Sequence, residues 1–135
     1  MSRIEDEEQK ALYHWRDLML GQFPELETMY HIANEGKRSK AGNAILKAMG
    51  LKKGVSDNCL PVRRGEYGSL YIEMKAPKYK GVNTREGKPS KEQLEFIDLM
   101  KRNGNAACVC YGWEVASAVI IHYLKGGKIL KEEYR

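Results

Sequence analysis

Three side chains have the types and spacing needed to hydrolyse a phosphodiester: Asp57, Glu73 and Lys75. Glu73 and Lys75 stand two residues apart in the run Ser69-Leu-Tyr-Ile-Glu-Met-Lys-Ala76, and Asp57 lies upstream of it. Side chains alternate along a β-strand, so Leu70, Ile72, Met74 and Ala76 take one face, and Ser69, Tyr71, Glu73 and Lys75 the other. The apolar face can bury against a helix. The polar face sets a carboxylate beside an ammonium, next to wherever Asp57 arrives. Two acidic oxygens plus a backbone carbonyl suit a hard cation such as Mg²⁺ or Mn²⁺. A neighbouring lysine can then orient or activate a water and stabilise charge on a phosphate. Taken alone, Glu-x-Lys also fits an ordinary salt-bridged surface strand.

The surrounding elements must position these groups. Ile4 to Leu20 has a helical apolar period, with acids in its first turn where the helix dipole favours them, and Gly21 and Pro24 end it. Thr28 to Ala33 is compatible with a strand, and Asn34-Glu-Gly36 is a turn signal. Ser39 caps a helix from Lys40 to Met49, closed by Gly50. Gly54 opens a strand from Ser56 to Val62, and Arg64 to Gly68 connects it, hairpin-like, to the Glu73 strand. Pro77 to Pro89 is a long basic loop. Ser90-Lys-Glu-Gln93 is a capping box for a helix reaching Arg102. A strand from Ala106 to Tyr111 and a helix from Trp113 to Tyr123 follow. Gly126-Gly127 starts a charged tail. The order predicts an α/β fold, a mixed central sheet flanked by helices on both faces, with the Glu73 strand central.

The 135 residues allow one domain, 1–135, with a core of about 4–124 and a charged tail over 125–135. Hydrophobic residues are 42% and charged residues 30%, a globular rather than disordered balance. The start lacks a signal-peptide pattern and no apolar run approaches a membrane span, so the expectation is an intracellular protein with no membrane partner. Cys59, Cys108 and Cys110 form no CxxC pair, which argues against a disulfide framework or zinc site. His14, His31 and His122 share no metal-ligand spacing. The formal net charge is +5, concentrated in two stretches. One carries Lys37, Arg38, Lys40, Lys47, Lys52, Lys53, Arg63 and Arg64; the other carries Lys75, Lys78, Lys80, Arg85, Lys88 and Lys91. Both flank the carboxylates, which fits a polyanionic partner or, equally, a solvated basic surface. Tyr111 and Trp113 can stack on a base or pack internally. The stripe Trp113, Ala116, Val119, Ile120 and Tyr123 serves either a dimer surface or ordinary core.

Three ordered motifs, "GVSDNCLP", "GSLYIEMKAP" and "KPSKEQLEFIDLMKRNGNAACVCYGWEVA", resemble the VRR-NUC (virus-type replication-repair nuclease) domain of the PD-(D/E)xK superfamily. The resemblance runs from Glu8-Gln9 through Tyr123 and is to the compact, stand-alone versions encoded by bacteriophages. It implies a restriction-endonuclease-like fold in which Asp57, Glu73 and the Met74 carbonyl bind Mg²⁺ or Mn²⁺. Lys75 then positions the attacking water or stabilises the pentavalent phosphorus. Gln93 matches the helix glutamine beside the site, and Glu8 the acid of the first helix, although Glu5, Asp6 and Glu7 compete for that role. Asn34 matches the asparagine of a "pNG" turn, with Glu35 here in place of glycine. Ser56 stands where the family commonly has proline. Asn34, Lys37, Arg38, Lys40, Lys53, Lys78, Lys80 and Arg85 are the expected DNA contacts.

The expected activity is a metal-dependent, structure-specific DNA endonuclease resolving four-way junctions as a homodimer, without an organic cofactor, and in the cytoplasm of a bacterial host if the chain is phage-encoded. Flap or end cleavage, and branched-DNA binding without chemistry, are the alternatives.

Overall fold

The structure is a computed structural model and describes residues 2–33, 39–78 and 85–135. Helix α1 (Arg3–Met19) starts with a complete capping box between Ser2 and Glu5. A short 3-10 turn, Pro24–Thr28, leads to strand β1 (Tyr30–His31). Helix α2 (Lys40–Ala48) is capped by Ser39. Strands β2 (Asn58–Leu60) and β3 (Leu70–Lys75) follow, then α3 (Lys91–Arg102), β4 (Ala106–Tyr111), α4 (Trp113–Leu124) and β5 (Glu133–Tyr134). The Ser90–Gln93 capping box at α3 forms as the spacing predicts.

The sheet runs β1-β2-β3-β4-β5 and is mixed. β1, β2 and β3 pair antiparallel; β3, β4 and β5 pair parallel, with α3 and α4 as the crossover helices. β3 is therefore central, as expected. On one face Leu70, Ile72 and Met74 of β3 and Cys108 and Cys110 of β4 pack with Leu12 of α1 and Ala116, Val119, Ile120 and Tyr123 of α4. Each such large side chain removed from water contributes about 1.5–3 kcal/mol. On the other face Ala107, Val109 and Tyr111 pack against Ile97 of α3, with Tyr71 and Leu94 at the margin.

This packing resolves two open alternatives. The α4 stripe is internal core, so it is no free dimer surface. Tyr111 is buried and Trp113 packs against the main core, so both aromatics serve packing. The three cysteines are free and buried. The polar face of β3 is covered rather than open: Ser69, Glu73 and Lys75 are buried, and Tyr71 meets Phe96 edge-on at 5.5 Å under α3. Among the described residues, no helix is long and apolar enough to cross a membrane.

The charged stretch after Gly127 does not trail away. Ile129 is buried, Glu132 accepts a hydrogen bond from Val109 N, and β5 adds a fifth strand beside β4.

Candidate active site

Asp57 is placed by a turn that only glycine permits. Gly54 has φ +81°, and a Cβ there would overlap the Glu92 carbonyl in the first turn of α3. The chain then passes Val55 and the wholly buried Ser56 to reach Asp57 just before β2. Asp57 Oδ2 accepts a hydrogen bond from Met74 N at 2.8 Å, which draws its carboxylate onto β3. Asp57 is 4% exposed and Glu73 1%. Two buried carboxylates thus meet at the centre of the sheet.

This juxtaposition controls Glu73. Burial, the hydrogen bond shared with Asp57 and the Asp57 charge push its carboxyl up to about 10, against a smaller opposing pull from Lys75. One oxygen, Glu73 Oε1, is buried with no hydrogen-bond partner. A buried oxygen left unsatisfied beside a second carboxylate suits a cation that would neutralise both.

The third oxygen donor follows from strand geometry. The carbonyls of Ser69 and Lys75 point toward β4, accepting from Ala106 N and Gly112 N, so the even-numbered residues of β3 present theirs toward β2. The Met74 carbonyl therefore lies on the Asp57 edge, beyond the last paired residue of β2. Among the described residues, no three His, Cys, Asp or Glu side chains gather as a metal cluster. Two carboxylates and this carbonyl could together offer oxygens to a hard cation such as Mg²⁺ or Mn²⁺, a donor set less suited to zinc.

Lys75 is almost buried and pairs with Glu5 Oε1 at 3.4 Å. Gly87 N donates to the Ala76 carbonyl at 3.0 Å, folding the end of the basic loop back over Lys75. Glu5 is therefore the acid of α1 that meets the site. Glu8, one turn later, accepts from Trp113 N at 3.1 Å and caps α4 instead. Gly112, with φ +95°, leaves the space that the Glu8 carboxylate fills. Gln93 directs its oxygen to Ser90 N in the capping box, with no hydrogen bond to the acid pair.

Of the expected DNA contacts, Lys40, Lys53, Lys78 and Arg85 are exposed. Asn34, Lys37, Arg38 and Lys80 lie outside the described residues.

Sequence reasoning missed the amides beside Asp57. Gln9 and Asn58 exchange hydrogen bonds of 2.6 and 3.0 Å in a buried pair that ties α1 to β2. The available signal was the four-residue spacing of Glu5 and Gln9, which puts both on one face of α1.

No protein-family profile and no curated protein sequence matches the chain. A solved structure described as a "VRR_NUC domain protein" superposes with a TM-score of 0.73 at 27% identity, covering 95% of this chain and 93% of that one. The likeness supports a VRR-NUC domain for this chain. The VRR-NUC match spans nearly the whole chain, and the five-stranded mixed sheet with its flanking helices is the restriction-endonuclease-like architecture expected for it. Within the VRR-NUC fold, the buried acid pair and Lys75 occupy the central strand and its neighbour.

Proposed function

We propose that this chain is a divalent-metal-dependent, structure-specific DNA endonuclease that hydrolyses phosphodiester bonds, acting on four-way junctions as a homodimer. The observation that carries the reading is the buried Asp57–Glu73 pair with its unpartnered Glu73 oxygen. Asp57, Glu73 and the Met74 carbonyl would hold the ion. When bound, Mg²⁺ or Mn²⁺ lowers the pKa of a coordinated water and offsets charge on the scissile phosphate. Lys75, released from Glu5, would hold the attacking water or the developing charge on phosphorus. Exposed Lys40, Lys53, Lys78 and Arg85 would contact flanking phosphates, which carry little sequence information, so selection would rest on DNA shape. The junction preference and the dimer are supported by the VRR-NUC resemblance and by geometry. One chain supplies one acid pair, and symmetric resolution needs two cuts related by a two-fold axis.

The test is a cleavage panel with Mg²⁺ or Mn²⁺ on four-way junction, flap, single-stranded and duplex DNA, alongside a solution mass measurement. Symmetric junction cleavage by a dimer supports the reading. Cleavage of flaps or ends alone makes the protein a different nuclease, and salt-dependent binding without cleavage makes it a binding module. Asp57→Ala, Glu73→Ala and Lys75→Ala should each lower cleavage by at least about 10³-fold while the far-UV circular dichroism is retained. Full cleavage by any one of them removes that residue from the mechanism.

A further inference from the structure

Asp57 is held at three points, and one of them is a side chain with no assigned role. Met74 N fixes its carboxylate. Its backbone carbonyl accepts from Ile32 N at 2.7 Å and also meets His31 Nδ1 at 2.7 Å. A carbonyl oxygen has two lone pairs and no proton to give. Both lone pairs are therefore engaged, and the imidazole must carry its hydrogen on Nδ1. His31 lies on edge strand β1, opposite Asn58, and is exposed.

The second bond is not needed to satisfy the Asp57 carbonyl, since Ile32 N already does so. Its consequence is directional. Hydrogens approach a carbonyl near its plane along separate lone-pair directions, so two donors on different atoms fix the tilt of the peptide plane where one would leave it free to rock. That plane leaves the Asp57 Cα, and its tilt sets where the carboxylate points. Asp57 lies just before β2, where continuation of the β1–β2 register supplies only the single Ile32 N bond to this carbonyl. Groups that hold metal ligands through hydrogen bonds commonly change metal affinity 10–100-fold when removed.

We propose that His31 is a positioning residue that aims the Asp57 carboxylate at the metal through its Nδ1–H bond to the Asp57 carbonyl, an inference that rests on the metal-dependent reading above. In this role the side chain would act through Asp57 rather than by contact with DNA or ion. What it supplies is one donor at one position, and this distinguishes it from a residue that merely fills space.

The experiment uses the full chain and measures Mn²⁺ binding by electron paramagnetic resonance of the free ion, with single-turnover junction cleavage in parallel. His31→Ala should weaken Mn²⁺ binding about 10–100-fold and slow single-turnover cleavage, with DNA affinity unchanged. His31→Asn places an amide N–H where the ring Nδ1–H was and should restore Mn²⁺ binding to within about threefold of wild type. His31→Gln, whose amide reaches the Nε2 position instead, should behave like alanine. The exposed His14→Ala is the control and should match wild type. Wild-type Mn²⁺ affinity in His31→Ala, or equal rescue by Asn and Gln, overturns the proposal while leaving the nuclease reading intact. Wild-type protein that takes up no Mn²⁺ overturns the nuclease reading, and this inference with it.

Discussion

At the scale of single residues, the Asp57–Glu73 pair sets a pH dependence with a definite sign. Glu73 titrates near 10 in the folded protein because it is buried against a second carboxyl, whereas an unfolded chain releases that proton near 4.5. Folding therefore retains a proton between those values, and the metal-free protein loses stability as pH rises through that window, with the full cost reached above about 10. Glu73→Gln keeps the shape and removes the titration. The stability of wild type relative to this variant should fall steadily between pH 5 and pH 8, at up to about 1.4 kcal/mol per pH unit, read from urea unfolding without metal. A constant difference across that range would show that Glu73 is ionised in the folded protein. The same argument makes metal uptake a proton-releasing step. Calorimetry at pH 7 in buffers of different ionisation enthalpy should record about one proton released per Mn²⁺ bound.

At the scale of elements, the site depends on how the chain enters β2. The Glu73–Lys75 strand was legible because its apolar and polar residues alternate strictly, and α3 because Ser90 and Gln93 have capping-box spacing. Asp57 was legible only as part of a motif. What stayed hidden were partners chosen by tertiary packing. Glu5 and Glu8 are both plausible on α1, and only the position of α4 assigns Glu8 to the Trp113 amide and leaves Glu5 for Lys75. β2 proved shorter than the expected Ser56 to Val62: at its start Asp57 directs its carboxylate to Met74 N, and at its end Pro61 has no N–H to give a ladder.

Ser56, in the turn before β2, is wholly buried and its hydroxyl has no hydrogen-bond partner. An unsatisfied buried hydroxyl costs about 1–3 kcal/mol, and proline at a compatible position adds roughly 0.4–1 kcal/mol by restricting the unfolded chain. Ser56→Pro should therefore stabilise the protein by about 1–2 kcal/mol and preserve cleavage. Ser56→Ala separates the two contributions. Destabilisation by both would mean that the hydroxyl has a water partner and the turn does not tolerate proline.

At the scale of the whole molecule, the last segment shows how charge can disguise a structural element. Residues 125–135 read as a charged tail because Lys, Glu and Arg recur in them and two glycines lie near their start. Yet His122 Nε2 bonds the Lys128 carbonyl, Ile129 N donates to Tyr67 OH at 3.1 Å, and Ile129 enters the main core. β5 then pairs with β4, and Arg135 forks onto Glu86 while lying over the Tyr111 ring at 4.3 Å. The segment thereby covers the β4 edge and fastens the described end of the basic loop to the sheet that carries the acid pair. Adjacent residues test this directly. Ile129 is 8% exposed and Leu130 81%. Ile129→Ala removes core packing and should cost about 2–4 kcal/mol, lowering Tm by roughly 5–15 °C. Leu130→Ala changes only the surface and should fall within about 0.5 kcal/mol of wild type. A solvated tail would leave both variants at wild-type stability, so an unchanged Tm for Ile129→Ala would detach β5 from the fold and release the restraint it places on Glu86.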